Sequence, residues 1–177
     1  MDLKQNYFQL FGLTDVFDLD VAALTERYLA LQKHLHPDRF ASASDQERRL
    51  SLQQAAQVNS GYETLRDPLA RARYLLSLHN GDVNDETSTI NDPEFLEEQM
   101  ALRESLAEIR FATDVQATLL SFMDQLETKS KHYVEALKLA FSCDTIDVAH
   151  IKGLVQRMQF TRKLQQEAEA LEEELLV

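Results

Sequence analysis

Leu24, Tyr28, Leu31 and Leu35 recur at +4 and +7 and +11 with mostly polar residues between them, the spacing of one buried helix face. Pro37 cannot continue that helix and disfavours helical geometry at His36. Ser44 and Glu47 have the spacing of a capping box, so a second helix starts there. Asp67-Pro68 ends it and opens another, with proline at the tolerated first position. This one is expected to run through Leu76 and to stop near Gly81, a left-handed cap. Asp82 to Asn91 is polar and reads as a linker. Asp92-Pro93 repeats the cap-and-proline start, and three helices are expected at about 93–111, 114–142 and 145–176. Thr113 with Gln116 marks the start of the middle helix, and Asp144 that of the last. Short connections between long helices predict an antiparallel three-helix bundle.

The first of these three helices carries two apolar faces. Phe95, Leu102, Leu106 and Ile109 fall within about 60° of arc and form a core stripe. Leu96 and Met100 lie roughly 120° away, beside Arg103, Glu104 and Ala107. Such a second stripe either packs against a neighbouring helix or stands exposed as a partner site with a charged rim. Phe160 is open in the same way. It lies off the Ile151/Leu154/Val155/Met158 stripe, yet one turn before Leu164.

The composition adds bounds. The chain has 177 residues, enough for one domain or two small ones, with only four Gly and three Pro. No alternating Val/Ile/Thr runs occur, so the expectation is all-α. The longest apolar runs are far short of the ~20 residues that span a bilayer. Met1 to Gln9 lack the basic start and apolar core of an export signal, which predicts a cytoplasmic protein. A single Cys143 excludes an internal disulfide framework and a cysteine-built metal site, and reads as a small residue near a helix end. No metal or other cofactor is expected.

Charge divides the chain. Residues 1–76 hold nine Lys/Arg against ten Asp/Glu, while residues 77–177 hold nine against twenty. An acidic tail repels phosphate backbones and argues against a nucleic-acid partner. Within the near-neutral first part, Arg27, Lys33, His34 and Arg39 lie on or just after the Leu24 helix, away from its apolar stripe. They are either solvated surface or a docking patch.

The candidate chemistry lies at His36-Pro37-Asp38, where a proline-stiffened loop presents one imidazole and one carboxylate between two helices. Nothing nearby supplies a nucleophile, a phosphate-cradling glycine loop or a ligand set, and the remaining histidines, His34, His79, His132 and His150, are scattered. A contact device is therefore expected, with no catalytic residues. Two further blocks frame it: Tyr7-Phe8-Gln9-Leu10-Phe11-Gly12-Leu13, and Val58-Asn59-Ser60-Gly61-Tyr62-Glu63-Thr64-Leu65-Arg66-Asp67-Pro68 with Arg71-Ala72-Arg73-Tyr74 after it. In order and spacing, over about residues 5–78, the chain resembles the J-domain family of co-chaperones. After Tyr74 it has neither a Gly/Phe-rich linker nor repeated Cys-x-x-Cys motifs. That departure and the helical tail resemble the J-type co-chaperones of bacterial iron–sulfur cluster assembly.

The resemblance implies a J-domain over residues 1–78, a linker over 79–92 and a client-binding three-helix bundle over 93–177. It implies that His36, Pro37 and Asp38, with Arg27, Lys33, His34 and Arg39, engage a DnaK-class chaperone of the HscA type and stimulate its ATPase. It also implies that Leu96, Met100, Glu104 and Phe160, with Arg103 beside them, receive the scaffold IscU. At Glu97 and Ala101 the chain departs from the family's client face, which puts those two positions in doubt as contacts. Two other readings stay open: a J-domain protein with a different client, and a purely structural helical scaffold.

Overall fold

Asn6 starts the first helix by a local exchange of hydrogen bonds. Its side chain accepts the Gln9 amide at 2.8 Å, and the Gln9 side chain accepts the Asn6 amide at 3.2 Å. This helix, α1 (Tyr7–Leu10), is only one turn long; Phe11 caps its end, and Gly12 just beyond has a φ of 60°, in the left-handed region that suits glycine. A computed structural model describes residues 5–36, 44–79 and 92–175, and among these every regular element is helical. The chain divides into two compact units, residues 1–78 and 79–177.

In the first unit, α2 (Val21–Leu35) and α3 (Asp45–Arg66) run antiparallel. Thr25 meets the Tyr62 hydroxyl at 3.2 Å, and Gln32 donates to Asn59 Oδ1 at 3.1 Å. Between these contacts the Tyr28 and Tyr62 rings stack with centroids 4.0 Å apart. Leu24 is fully buried, whereas Tyr28, Leu31 and Leu35 are half-buried along the same stripe. The Ser44/Glu47 capping box forms as its spacing predicts. Gly61 lets α1 lie close to α3, since a Cβ there would sit 3.0 Å from the Tyr7 ring and 3.1 Å from that of Phe11.

Asp67 accepts the Ala70 amide at 2.7 Å and opens α4 (Pro68–Leu78). This helix extends two residues past Leu76, and Gly81 with the polar stretch to Asn91 lies outside the described residues. Leu69, Ala72, Leu75 and Leu76 bury its inner face. Arg71 is buried among them, donating to the Leu65 carbonyl at 2.6 Å and lying over the Phe17 ring. Burial pushes its guanidinium pKa down, against the opposing pull of Asp67 and Asp18.

The second unit comprises α5 (Pro93–Glu108), a 3₁₀ turn (Ile109–Phe111), α6 (Val115–Ser142) and α7 (Val148–Leu175). The first of these is thus not one α-helix through residue 111. Two start signals also differ from the sequence expectation. Asp114, not Thr113, caps α6 by accepting the Ala117 amide at 3.0 Å, in line with the stronger capping preference of aspartate. Asp147, not Asp144, caps α7 by accepting the His150 amide at 3.0 Å. Reversing direction between two long antiparallel helices takes the segment 143–147, more chain than a start at 145 would leave.

Leu102, Ile109, Leu119, Phe122, Leu126, Leu164, Ala168 and Leu171 form one cluster of the bundle core, and Leu137, Ile151, Val155 and Met158 are buried as well. At the start of α5, Asp92 and Glu98 both pair with Arg157 of α7, and Glu98 pairs with Lys129 of α6. Arg157 also covers the Phe95 ring at 4.5 Å. These contacts, together with the burial of Phe95, Leu102 and Ile109, hold α5 in the rotation that turns its other face outward.

Candidate functional site

α2 ends at His36 with φ −59° and ψ 133°, an extended geometry of the kind that a following proline imposes. The histidine is exposed at the helix end. Pro37, Asp38 and Arg39 lie outside the described residues. Lys33 and His34 are exposed in the last turn of α2, where positive charge also complements the helix dipole.

Arg27, on the same helix, is differently placed from a free surface charge. Its Nη1 donates to the Phe11 carbonyl at 2.7 Å and to the Gly12 carbonyl beside it. These are carbonyls at the end of α1, which the helix itself leaves unpaired. Its exposed guanidinium is thus anchored as well as charged.

On α5 the two faces separate cleanly. Phe95, Leu102 and Ile109 are buried, while Leu96 is 58% exposed and Met100 65% exposed. The second stripe therefore does not pack against a neighbouring helix of the bundle. Arg103 and Glu104 are exposed beside it, as are Glu97 and Ala101. Phe160 is half-buried and packs against the bundle core. It meets Phe95 edge-on at 5.9 Å and lies under the Arg103 guanidinium at 5.6 Å. Phe160 thus joins the core to the outer face, and Arg103 caps its open side.

The result is an apolar strip on one helix with carboxylates along its edge, a surface suited to protein contact. Among the described residues no group of three or more His, Cys, Asp or Glu side chains has a metal-binding arrangement, and no helix is long and apolar enough to cross a membrane. Spacing alone misses one exposed apolar residue in this region. Phe111 is 87% exposed just past α5, and its signal in the sequence is only its place at +15 from Leu96.

Comparison with known proteins extends over nearly all of the chain. A family profile described as the HSCB C-terminal oligomerisation domain matches residues 91–169. A co-chaperone protein HscB homolog of Vibrio cholerae serotype O1 is 42% identical over 171 residues, which are 97% of this chain and 99% of that protein. The solved structure of chaperone HscB from Vibrio cholerae superposes with a TM-score of 0.84 at 40% identity, covering 97% of this chain and 99% of that one. The crystal structure of human co-chaperone protein HscB gives a TM-score of 0.89 at 30% identity, covering 97% and 84%.

Proposed function

Because the chain belongs to the HscB family of co-chaperones, we propose that it stimulates the ATPase of a DnaK-class chaperone of the HscA type and delivers to it the iron–sulfur scaffold IscU, in the bacterial cytoplasm. The J-domain, residues 1–78, supplies the chaperone contact through His36, Pro37 and Asp38, with Lys33, His34, Arg39 and Arg27 around them. The bundle, residues 93–177, holds the client through Leu96, Met100, Arg103, Glu104 and the outer edge of Phe160. The single observation that carries this reading is the exposure of Leu96 and Met100 on a helix whose other face is fully used in the core. A dry core leaves no reason for two large apolar side chains to stand in water side by side, and a partner surface does.

The two ends do different work. The protein performs no bond chemistry itself; it changes the rate of its partner's hydrolysis by stabilising a conformation that the partner must adopt. Holding client and chaperone on one chain raises the effective concentration of each near the other, so two modest contacts act together.

The test is a steady-state ATPase assay with purified HscA-type chaperone and IscU. Wild type should accelerate hydrolysis, and more so with IscU present. His36→Gln and Asp38→Asn should each abolish the acceleration while keeping wild-type helicity and IscU binding. Full stimulation by either variant, at concentrations that saturate wild type, would refute the loop assignment. The absence of any stimulation by wild type would refute the co-chaperone mechanism as stated.

A further inference from the structure

We propose that Phe111 is a third apolar anchor of the client surface, at the opposite end of the strip from Leu96; the inference rests on the client assignment made above. The three residues share one side of the bundle. Counting helical rotation from Leu96, Met100 and Phe111 fall within roughly a quarter-turn of it, the final 3₁₀ step included, and away from the buried Phe95, Leu102 and Ile109. At ~1.5 Å per residue the strip from Leu96 to Phe111 is about 22 Å long, the dimension of one side of a standard protein interface.

The ring stands on a fixed base. Ile109, two residues earlier, is buried in the core. Arg110 is paired with Glu174 near the end of α7, and the Ala112 amide closes the turn onto the Ile109 carbonyl at 3.1 Å. A side chain held by an ordered backbone loses little further freedom on binding, and a phenyl ring is among the groups that contribute most when buried at an interface. At 87% exposure almost all of that ring is available.

The chemistry of the occupant follows from the rim. Glu94, Glu97, Glu104 and Glu108 are exposed along α5, whereas its neighbouring cations are engaged, Arg103 over Phe160 and Arg110 with Glu174. The surface thus offers apolar anchors framed by carboxylates. It fits a folded partner with an apolar groove edged by lysine or arginine, and continuity with Leu96 and Met100 makes that partner the same client.

The experiment measures affinity for IscU by calorimetry, on the full chain, for Phe111→Ala, Phe111→Leu, Leu139→Ala and the double variant Leu96→Ala/Met100→Ala. Phe111→Ala should weaken binding about tenfold or more, with an unchanged melting curve. Phe111→Leu should retain most of the affinity. Leu139→Ala, at another exposed apolar position, on α6, should bind like wild type. If the double variant loses binding while Phe111→Ala keeps wild-type affinity, the proposal falls and the client assignment stands. If the double variant binds like wild type, both fall. Equal weakening by Leu139→Ala, or a self-association in ultracentrifugation that Phe111→Ala abolishes, would also overturn the proposal.

Discussion

Arg27 and Phe11 are joined by a hydrogen bond from the arginine Nη1 to the main-chain carbonyl at 2.7 Å, which ties the middle of α2 to the end of α1. A residue that sequence position marks as part of a charged docking face is therefore also a brace for the fold. The two roles separate by salt. Lys33 is exposed, so in the proposed docking it should act by steering alone, screened beyond ~10 Å at 0.1 M salt. Lys33→Ala should slow association at low salt and match wild type at high salt. Arg27→Ala should remain defective at high salt and lower stability to urea by about 1 kcal/mol, the ordinary worth of such a bond. Identical salt profiles for the two variants would show that the brace is irrelevant to docking.

The apolar groups assigned to the client differ in how far they serve the fold. Leu96 and Met100 are mostly in solvent, so truncating both should leave the melting temperature within a degree or two of wild type while removing IscU binding. Phe160 is half-buried against Phe95 and the bundle core. Phe160→Ala should lower stability by roughly 2 kcal/mol, less than the loss for a fully buried ring, and weaken binding as well. Thermal denaturation and calorimetry on the same samples decide this. A large drop in melting temperature for the Leu96/Met100 variant would place those residues in the core.

Local chemistry is what the sequence makes legible. The Ser44/Glu47 box, Asp67-Pro68 and Asp92-Pro93 each act within three or four residues, and all three start helices in the structure. Asp114 and Thr113 stand side by side, and the stronger capping preference of aspartate, a local signal that the Thr113/Gln116 spacing hides, places the start at Asp114. The division of α5 into two faces is likewise periodic and readable. Whether the second face is covered depends on how α6 and α7 pack, and the contacts of Glu98 with Lys129 and Arg157 that accompany that packing reach across 31 and 59 residues of chain. The Arg27 brace has no periodic signature, because it joins a side chain to carbonyls 15 and 16 residues away.

Acid should loosen the bundle at the start of α5. The Phe95 amide donates to Asp92 at 3.1 Å, and this bond, opposed by a smaller effect of burial and helped by Arg157, holds the Asp92 carboxyl below the ordinary aspartate value. A carboxyl depressed on folding stabilises fully above its unfolded value and loses that contribution as pH falls through the folded one. Stability should thus decline as the solution is taken below the ordinary carboxylate range. Asp92→Asn keeps a good helix cap but does not titrate. Urea denaturation followed by circular dichroism should give a shallower acid slope for the variant; an unchanged slope would remove Asp92 from the account.

Tyr74 governs the opposite end of the pH scale in the first unit. Its hydroxyl accepts the Tyr7 amide at 2.8 Å, and the two rings stack at 4.7 Å. Burial raises its pKa above the ordinary phenol value, outweighing the amide bond, which favours the phenolate. A group raised on folding contributes fully below its unfolded value, and the contribution is lost as pH rises through the folded one. Tyr74→Phe keeps the ring but leaves the Tyr7 amide, in the first turn of α1, without its acceptor, so near neutral pH it should cost about 1 kcal/mol. Above the ordinary tyrosine range wild type forfeits part of its stability and the variant does not, so the gap between them should narrow. Tyr133, also raised mainly by burial, stays in both proteins and leaves a common alkaline decline. Urea titrations at neutral and strongly alkaline pH test this directly. A gap that stays constant with pH would mean that Tyr74 does not titrate differently in the folded and unfolded chains.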